Sequence, residues 1–432
     1  MLKKSIENLL GAPYVYVYPT MRALTPIPVF SPESAEFTKD LNIYIHVPFC
    51  DQQCTFCGYL TAVERSQLGK MEYMKAVAEE LKLYAGLIGS SRITSINFGG
   101  GTPSAVPVEG IELVLKSLRM LKPSLESDCT EISIESTPER ATDEWCRAVS
   151  LLGFNRVSIG VQSLMESEIQ RSGRHNNMPT SFAAIEAVRK AGIPNLCCDL
   201  MYGLEGQTLD SWRSSVELIC EFHPETIELY RTVAIPGTIY PERMARVMRE
   251  ADKYACYVFA RDMLLAQGYK QEAHLRFVVP GKGFYQQQTN VHRGQSLLGV
   301  GVGARTYAKN MHYRNVYDSR QSKQAISAYI KRIMSGQFAV ESAVMLSREE
   351  LMRQFAIYQL DALDLSLFEG RFDISFADAF PSTFFDMVEL NLATEVEGIL
   401  NLTNKGLMFR DLIAQTLFSD RITRLEKSHY HA

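Results

Sequence analysis

Three of the nine cysteines, Cys50, Cys54 and Cys57, fall within eight residues. Thiolates at i, i+4 and i+7 can converge on one metal centre without distant help. The loop carrying them follows the apolar run Ile43–Val47 and Pro48 at once, so it hangs from the C-terminal end of a strand. In α/β proteins that end is where active sites are built. A closed zinc site wants four ligands, usually taken as two pairs. No further Cys or His lies nearby at suitable spacing, because His46 belongs to the strand itself. An iron–sulfur cluster normally takes four cysteines, so three leave one iron open to a non-protein ligand. By analogy with zinc, an open position marks a catalytic centre. Unpaired core thiols are the remaining reading. The other six (Cys129, Cys146, Cys197, Cys198, Cys220 and Cys256) lie mostly beside apolar residues and are expected to pack in the core. An odd total argues against a disulfide framework.

Elements must position that loop. From Asn42 to about Arg231 the chain alternates β-rich runs (Ile43–Val47, Ser95–Phe98, Thr130–Glu135, Arg156–Gly160, Leu196–Met201, Thr226–Tyr230) with helical patterns (Met71–Leu87, Gly110–Leu121, Thr142–Leu152, Ser181–Ala191, Leu209–Phe222). Such alternation predicts a parallel sheet covered by helices. Six units are too few for a closed eight-fold barrel, leaving a partial barrel or a doubly wound sheet. Ahead of this region lie five prolines and Pro13–Pro19 (PYVYVYP), an edge strand or an ordered arm. After it come a helical run at Pro241–Gln267 and the Gly-rich Leu297–Ala304, which either lines a cofactor site or makes a tight strand pair. The tail has helical runs at Glu349–Leu360, Ser382–Leu392 and Thr403–Phe418 around a hairpin near Thr394–Leu402, a winged-helix-like pattern.

Polar residues cap the other strands. The second runs into Gly99-Gly100-Gly101-Thr102, where the backbone can approach a ligand closely. The third ends in Glu135, the fourth leads into Gln162, the fifth carries Asp199, and the sixth ends in Tyr230 and Arg231. Any one of these could merely satisfy neighbouring backbone; on successive strands they could point into one cavity.

Composition excludes other classes. An apolar fraction of 46% can bury a large core, so the chain is neither disordered nor a small stapled scaffold. A net charge of -4 argues against a dedicated nucleic-acid binder. No apolar run spans a bilayer and no signal-peptide pattern opens the chain, so a cytoplasmic protein without a membrane partner is expected.

The Cys-x3-Cys-x2-Cys motif after the first strand resembles the signature of the radical S-adenosylmethionine (SAM) superfamily. The wider YIHVPFC…C…C resembles its oxygen-independent coproporphyrinogen III oxidase-like family. The resemblance implies a partial (β/α)6 barrel (42–270) with an N-terminal arm over the active site (1–41) and a smaller, mostly helical C-terminal domain (271–432). It implies a 4Fe–4S cluster on Cys50, Cys54 and Cys57, with SAM on the open iron. Gly100, Gly101 and Thr102 then belong to the motif for the methionyl amine, Gln162 and Asp199 to the ribose, and Arg174 to the carboxylate. Glu135 lies near the methionyl moiety, Tyr44 faces the cluster, and both are candidate catalytic residues. Partners would be a small-molecule substrate and an electron donor such as flavodoxin or ferredoxin.

Three activities compete. Oxidative decarboxylation of coproporphyrinogen III fits the arm with Tyr14, Tyr16 and Tyr18. The oxidases, however, carry a fourth cysteine two residues after the third, where this chain has Tyr59. A haem chaperone of the same family would begin almost at the first strand, and His175, His223 and His274 are isolated. A class C methyltransferase or cyclopropanase, holding two SAM molecules, is resembled by Tyr16–Ile27 and Cys54–Thr61. Methyl or methylene transfer to an sp² carbon is therefore the leading expectation.

Overall fold

The computed structural model describes residues 2–7, 14–233 and 248–428. Six parallel strands form its centre: β1 (Asp40–Val47), β2 (Arg92–Gly100), β3 (Glu131–Ser136), β4 (Arg156–Gln162), β5 (Asn195–Tyr202) and β6 (Thr226–Arg231). They pair in chain order. Between them run the helices α1 (Gln67–Leu83), α2 (Val108–Leu121), α3 (Asp143–Leu151), α4 (Met178–Lys190) and α5 (Leu209–Cys220). Local chemistry sets their starts: the Ser66, Thr142 and Asn177 side chains accept from the first-turn backbone, and Thr208 forms a reciprocal capping box with Ser211.

The sheet continues past both edges of this core. The antiparallel β7 (Arg276–Val278) extends it beyond β6. On the other side β8 (Ser296–Val300) pairs parallel with β1 and leads into the antiparallel β9 (Arg305–Tyr307), β10 (Met311–Asn315) and β11 (Val340–Met345). Thirteen strands make one open sheet whose outermost strands, Thr25–Pro26 and Lys270–Ala273, do not meet. The fold is thus an incomplete barrel. The Gly-rich Leu297–Ala304 is β8 and the turn that follows it, so its strand-pair reading holds.

Strand alternation separates the two faces. Ile43, Ile45, Ile96, Phe98, Ile134, Val157, Ile159, Leu200 and Leu229 point to the helices and form the main core. The opposite, concave face carries Asn42, Tyr44, Asn97, Glu135, Ser158, Asp199 and Glu228, brought side by side by the register. Cys197, expected among apolar residues, is buried but lies on this polar face, where its Sγ is 3.4 Å from Asp199 Oδ1. Cys129 is half-buried, while Cys146, Cys198, Cys220 and Cys256 are buried as expected.

A second core joins the N-terminal segment to the tail. Val15, Tyr18, Ala23 and Leu24 pack with Phe355, Phe368 and Ile413. The Tyr18 hydroxyl bonds Glu350, Val15 N donates to Asp411 Oδ1 (3.1 Å), and Gln354 Nε2 donates to Tyr18 O (2.8 Å). Residues 14–18 form no strand, so the stretch is an ordered arm; Pro13 lies outside the described residues. Of the helical run expected at 241–267, Glu250–Ala266 is helix, while 241–247 lies outside the described residues. In the tail, helices Arg348–Tyr358, Pro381–Glu389, Asn404–Met408 and Arg410–Thr416 surround a three-stranded sheet that includes the hairpin Ala393–Val396/Ile399–Leu402.

Glu80 ties α1 to the β8–β9 turn. It is fully buried and accepts from Gly301 N (2.7 Å), Asn315 Nδ2 (2.6 Å) and Tyr329 OH (2.6 Å). Burial pushes its carboxyl up to about 7. The native state therefore holds a proton that the unfolded chain has released between about pH 4.5 and 7, and stability falls as pH rises through that window. Glu80→Gln should remove a pH-dependent component on the order of 2 kcal/mol, read from urea denaturation at pH 5 and pH 7.5. An unchanged slope between the two pH values would refute this origin.

Candidate active site

The cysteine loop lies where β1 ends. Ala62 N donates to Pro48 O (2.7 Å) and Thr55 N to Ser172 O (3.0 Å), so the end of β1 and the segment after β4 hold it. The three thiols are free and half-buried. Cys50 Sγ accepts from Thr102 Oγ1 (3.6 Å), and Cys54 Sγ lies 3.8 Å from Arg174 Nη1. Burial pushes the Cys50 and Cys57 thiols up to about 12 and 11; the Cys54 sulfur adds to both rises and the Cys57 sulfur to that of Cys50.

The glycine segment is clamped to this loop. Gly101 N donates to Val47 O (2.8 Å) and Thr102 N to Phe49 O (2.7 Å). Gly100 has φ +115°, and a Cβ there would fall 2.5 Å from the His46 ring. A Cβ on Gly99 would fall 2.5 Å from Glu135 Oε1 and 3.0 Å from Tyr44 Cε2. The absence of side chains thus lets Glu135 and Tyr44 meet over β2, and Gly100 N donates to Glu135 Oε2 (3.2 Å). Burial pushes Glu135 up to about 7, and Asp199 adds to the rise.

Gln162, at the end of β4, has φ 69° beside a register shift, and its buried Oε1 has no hydrogen-bond partner. Left-handed backbone in a non-glycine residue concentrates at functional sites. Arg174 is buried; it donates from Nη2 to Gly160 O (2.6 Å) and from Nε to Asn176 Oδ1 (3.0 Å). Asp199 accepts from Ser158 Oγ (2.9 Å). Burial raises its carboxyl above the usual range, and Glu228 next to it adds to the rise. Burial opposes ionisation of Glu228 too, but Arg276 and Arg156 outweigh it and hold that carboxyl below the usual range. Arg276 Nε lies 3.0 Å from Glu228 Oε1, and both guanidiniums stack on Tyr285.

The strand-end residues singled out in the sequence therefore gather at one end of one concave face. Sequence reasoning missed Glu228, Arg156, Arg276, Tyr285 and His46. Only the period-two alternation of each strand could have found the four on strands, since it assigns every second residue to this face; Tyr285, which precedes the helix Gln286–His292, carries no such signal. Tyr230 bonds Glu228, and Tyr14 of the arm accepts from Arg231 N. Tyr59 follows the third cysteine and is 60% exposed, so it belongs to the open side of the loop.

Among the described residues no three of His, Cys, Asp and Glu close around a single metal ion. A cluster makes a different demand, because each thiolate binds a different iron. Three free thiols, with no acidic side chain bonded to any of them, fit such a soft-ligand centre.

Residues 44–219 match the sequence profile of the radical SAM superfamily. Over these residues the chain is similar to that superfamily, whose members use a 4Fe–4S cluster and SAM. The chain is 29% identical to the oxygen-independent coproporphyrinogen III oxidase of Paracoccus denitrificans over 369 residues, covering 79% of this chain and 78% of that one. It is 25% identical to the heme chaperone HemW of Bacillus subtilis over 373 residues, covering 84% and 96%. The solved coproporphyrinogen III oxidase of Escherichia coli, described as a radical SAM enzyme, superposes with a TM-score of 0.80 over 94% of this chain and 96% of that one. At 23% identity this likeness establishes the fold.

Proposed function

We propose that this chain is a radical SAM enzyme whose reaction is of the oxygen-independent coproporphyrinogen III oxidase type, an oxidative decarboxylation. The observation that carries the enzyme reading is the meeting, at one end of the sheet, of three free thiols, the buried Arg174 guanidinium and the unpartnered Gln162 amide oxygen. The oxidase and heme-chaperone relatives support a porphyrin-related ligand over the methyl transfer expected from the sequence. Methyl or methylene transfer from a second SAM stands as the second reading, favoured by Tyr59 at the position of the oxidases' fourth cysteine.

Cys50, Cys54 and Cys57 would hold the cluster. When bound, the cluster and SAM together supply a one-electron cleavage giving methionine and a 5′-deoxyadenosyl radical. Arg174 offers a guanidinium fork to the SAM carboxylate. Gly100, Gly101 and Thr102 frame its amine end, and Gln162 and Asp199 serve the ribose. Glu135, beside Tyr44, can hold a proton near neutrality on the same face. The arm, with Tyr14 and Tyr16 stacked at 4.8 Å, covers the β6 end and keeps water out. The electron donor would be a flavodoxin or ferredoxin, which places the reaction in the cytoplasm. Within this assignment, residues 42–270 supply the cofactor sites and 271–432 complete the enclosure.

Asp199→Ala should weaken SAM binding roughly tenfold, the loss of a charge-assisted hydrogen bond, and leave the iron content unchanged. Equilibrium binding of labelled SAM measures it, and unaltered affinity would remove Asp199 from the ribose site. The deciding experiment is anaerobic. The reconstituted, reduced protein receives methyl-deuterated SAM with and without coproporphyrinogen III. Release of carbon dioxide with unlabelled 5′-deoxyadenosine supports the oxidase. Deuterium in 5′-deoxyadenosine supports the two-SAM reading. No cleavage, with haem bound instead, overturns the enzyme reading in favour of a chaperone.

A further inference from the structure

Across the sheet from the cofactor residues, β9, β10 and β11 place Arg305, Arg314 and Ser342 in one row of directly paired positions. The register continues through β8 to β1 and puts Arg305 and Tyr307 on the same concave face as Tyr44. Two guanidiniums directly opposite each other on neighbouring strands repel.

Neither arginine makes an ion pair among the described residues. Arg305 is 7% exposed. Its Nη2 donates to Pro19 O (3.0 Å) and its guanidinium lies 5.2 Å from the Tyr307 ring, but Nε and Nη1 have no partner. Arg314 stacks at 4.1 Å on Tyr317, with Nε unpartnered. Ser342 Oγ and His312 Nδ1, the latter on the residue paired with Tyr307, are also unpartnered. Six of the eleven buried side-chain atoms that lack a partner among the described residues therefore fall on these three strands, and all but Asn315 Oδ1 lie within this one patch. Two other arginines of the concave face, Arg156 and Arg276, are by contrast ion-paired with Glu228.

Buried charge without a counter-charge is costly and persists where something compensates it. Glu341 lies near Arg314 but ion-pairs with Arg332 rather than with either arginine of the row; cations on one wall with no carboxylate at ion-pair distance select an anion, and a planar fork suits a carboxylate. We propose that Arg305, backed by Arg314 and Ser342, is a subsite for a carboxylate of the molecule that occupies the concave face. This rests on the functional reading above for the identity of that molecule. The carboxylate comes either from the acceptor substrate, as a propionate side chain does, or from the amino-acid end of a second SAM.

The test uses the anaerobically reconstituted holoenzyme and its Arg305→Gln and Arg305→Lys variants, with coproporphyrin III, its tetramethyl ester and SAM as probes. Arg305→Gln should weaken binding of coproporphyrin III, or of a second equivalent of SAM, at least tenfold. Arg305→Lys, keeping the charge without the fork, should lose less. Iron content and the first SAM equivalent should not change, and the ester should bind wild type and variants alike. Loss confined to coproporphyrin III assigns the carboxylate to the substrate, and loss confined to the second SAM assigns it to the cofactor. Because the ligand-free variant sheds an uncompensated charge, its thermal midpoint should match or exceed wild type. A purely structural arginine would instead lower it. The proposal is overturned if Arg305→Gln binds both probes as wild type does, or if wild type binds neither ligand; an ester that binds wild type as tightly as the acid overturns the substrate as the source of the carboxylate. Absence of SAM cleavage in wild type would overturn the functional reading alone, since the binding measurements do not require turnover.

Discussion

Cys54→Ala is expected to abolish both the iron–sulfur cluster and the reductive cleavage of SAM. Each thiolate of the triad would bind a separate iron, so the two left behind cannot hold the cluster in place. Cys54 Sγ faces the Arg174 guanidinium, and the other six cysteines, five of them buried, lie on other elements of the fold. A fall in cleavage rate of at least about a thousandfold, roughly 4 kcal/mol, is the expected size. Iron and sulfide analysis together with 5′-deoxyadenosine formation measure it. Cys146→Ala is the control, because that thiol is buried in the main core and should cost on the order of 1 kcal/mol of stability with the cluster intact. A Cys54→Ala protein that kept both cluster and cleavage would refute the assignment of the triad.

Arg174→Ala should weaken SAM binding about a hundredfold, near 2.7 kcal/mol. The guanidinium is buried, donates to Gly160 O and Asn176 Oδ1, and has no carboxylate partner among the described residues. A substrate carboxylate reaching it gains a charge-assisted pair where water competes little. The alternative is that Arg174 only pins the loop after β4. 5′-Deoxyadenosine separates the two cases, because it lacks the carboxylate. Its affinity should stay within about twofold of wild type, whereas a collapsed loop would weaken both ligands together. Arg174→Lys should fall between, as an ammonium keeps charge without the fork.

Both predictions concern residues legible in the sequence. Cys54 belongs to a motif whose spacing alone gathers three thiols, and Arg174 follows by resemblance twelve residues after Gln162. The six β/α units were legible for the same local reason. Apolar strands bounded by turn residues and helices with capped starts announce themselves within about fifteen residues, so the six strands match expectation to within three residues at each end. The leading expectation of methyl transfer went beyond what such patterns carry. It rested on two short stretches near the arm and the cysteine loop, whereas the relatives matched over most of the chain are an oxidase and a heme chaperone.

The sequence by itself determined the cysteine loop, its place at the end of a first strand, the parallel α/β class, and the strand-end residues Glu135, Gln162 and Asp199. These depend on spacing and periodicity, which act over short distances along the chain. Tertiary structure alone decided that the sheet runs on through β7 and β8–β11 without closing, and that the arm packs with the tail in a second core. It also decided that Arg156 and Arg276 are neutralised by Glu228 while Arg305 and Arg314 are not. An arginine's partners depend on register between strands distant in the chain, as with Arg156 and Arg276, which both reach Glu228. No local pattern encodes that register, because it is fixed by burying one face of the whole sheet at once.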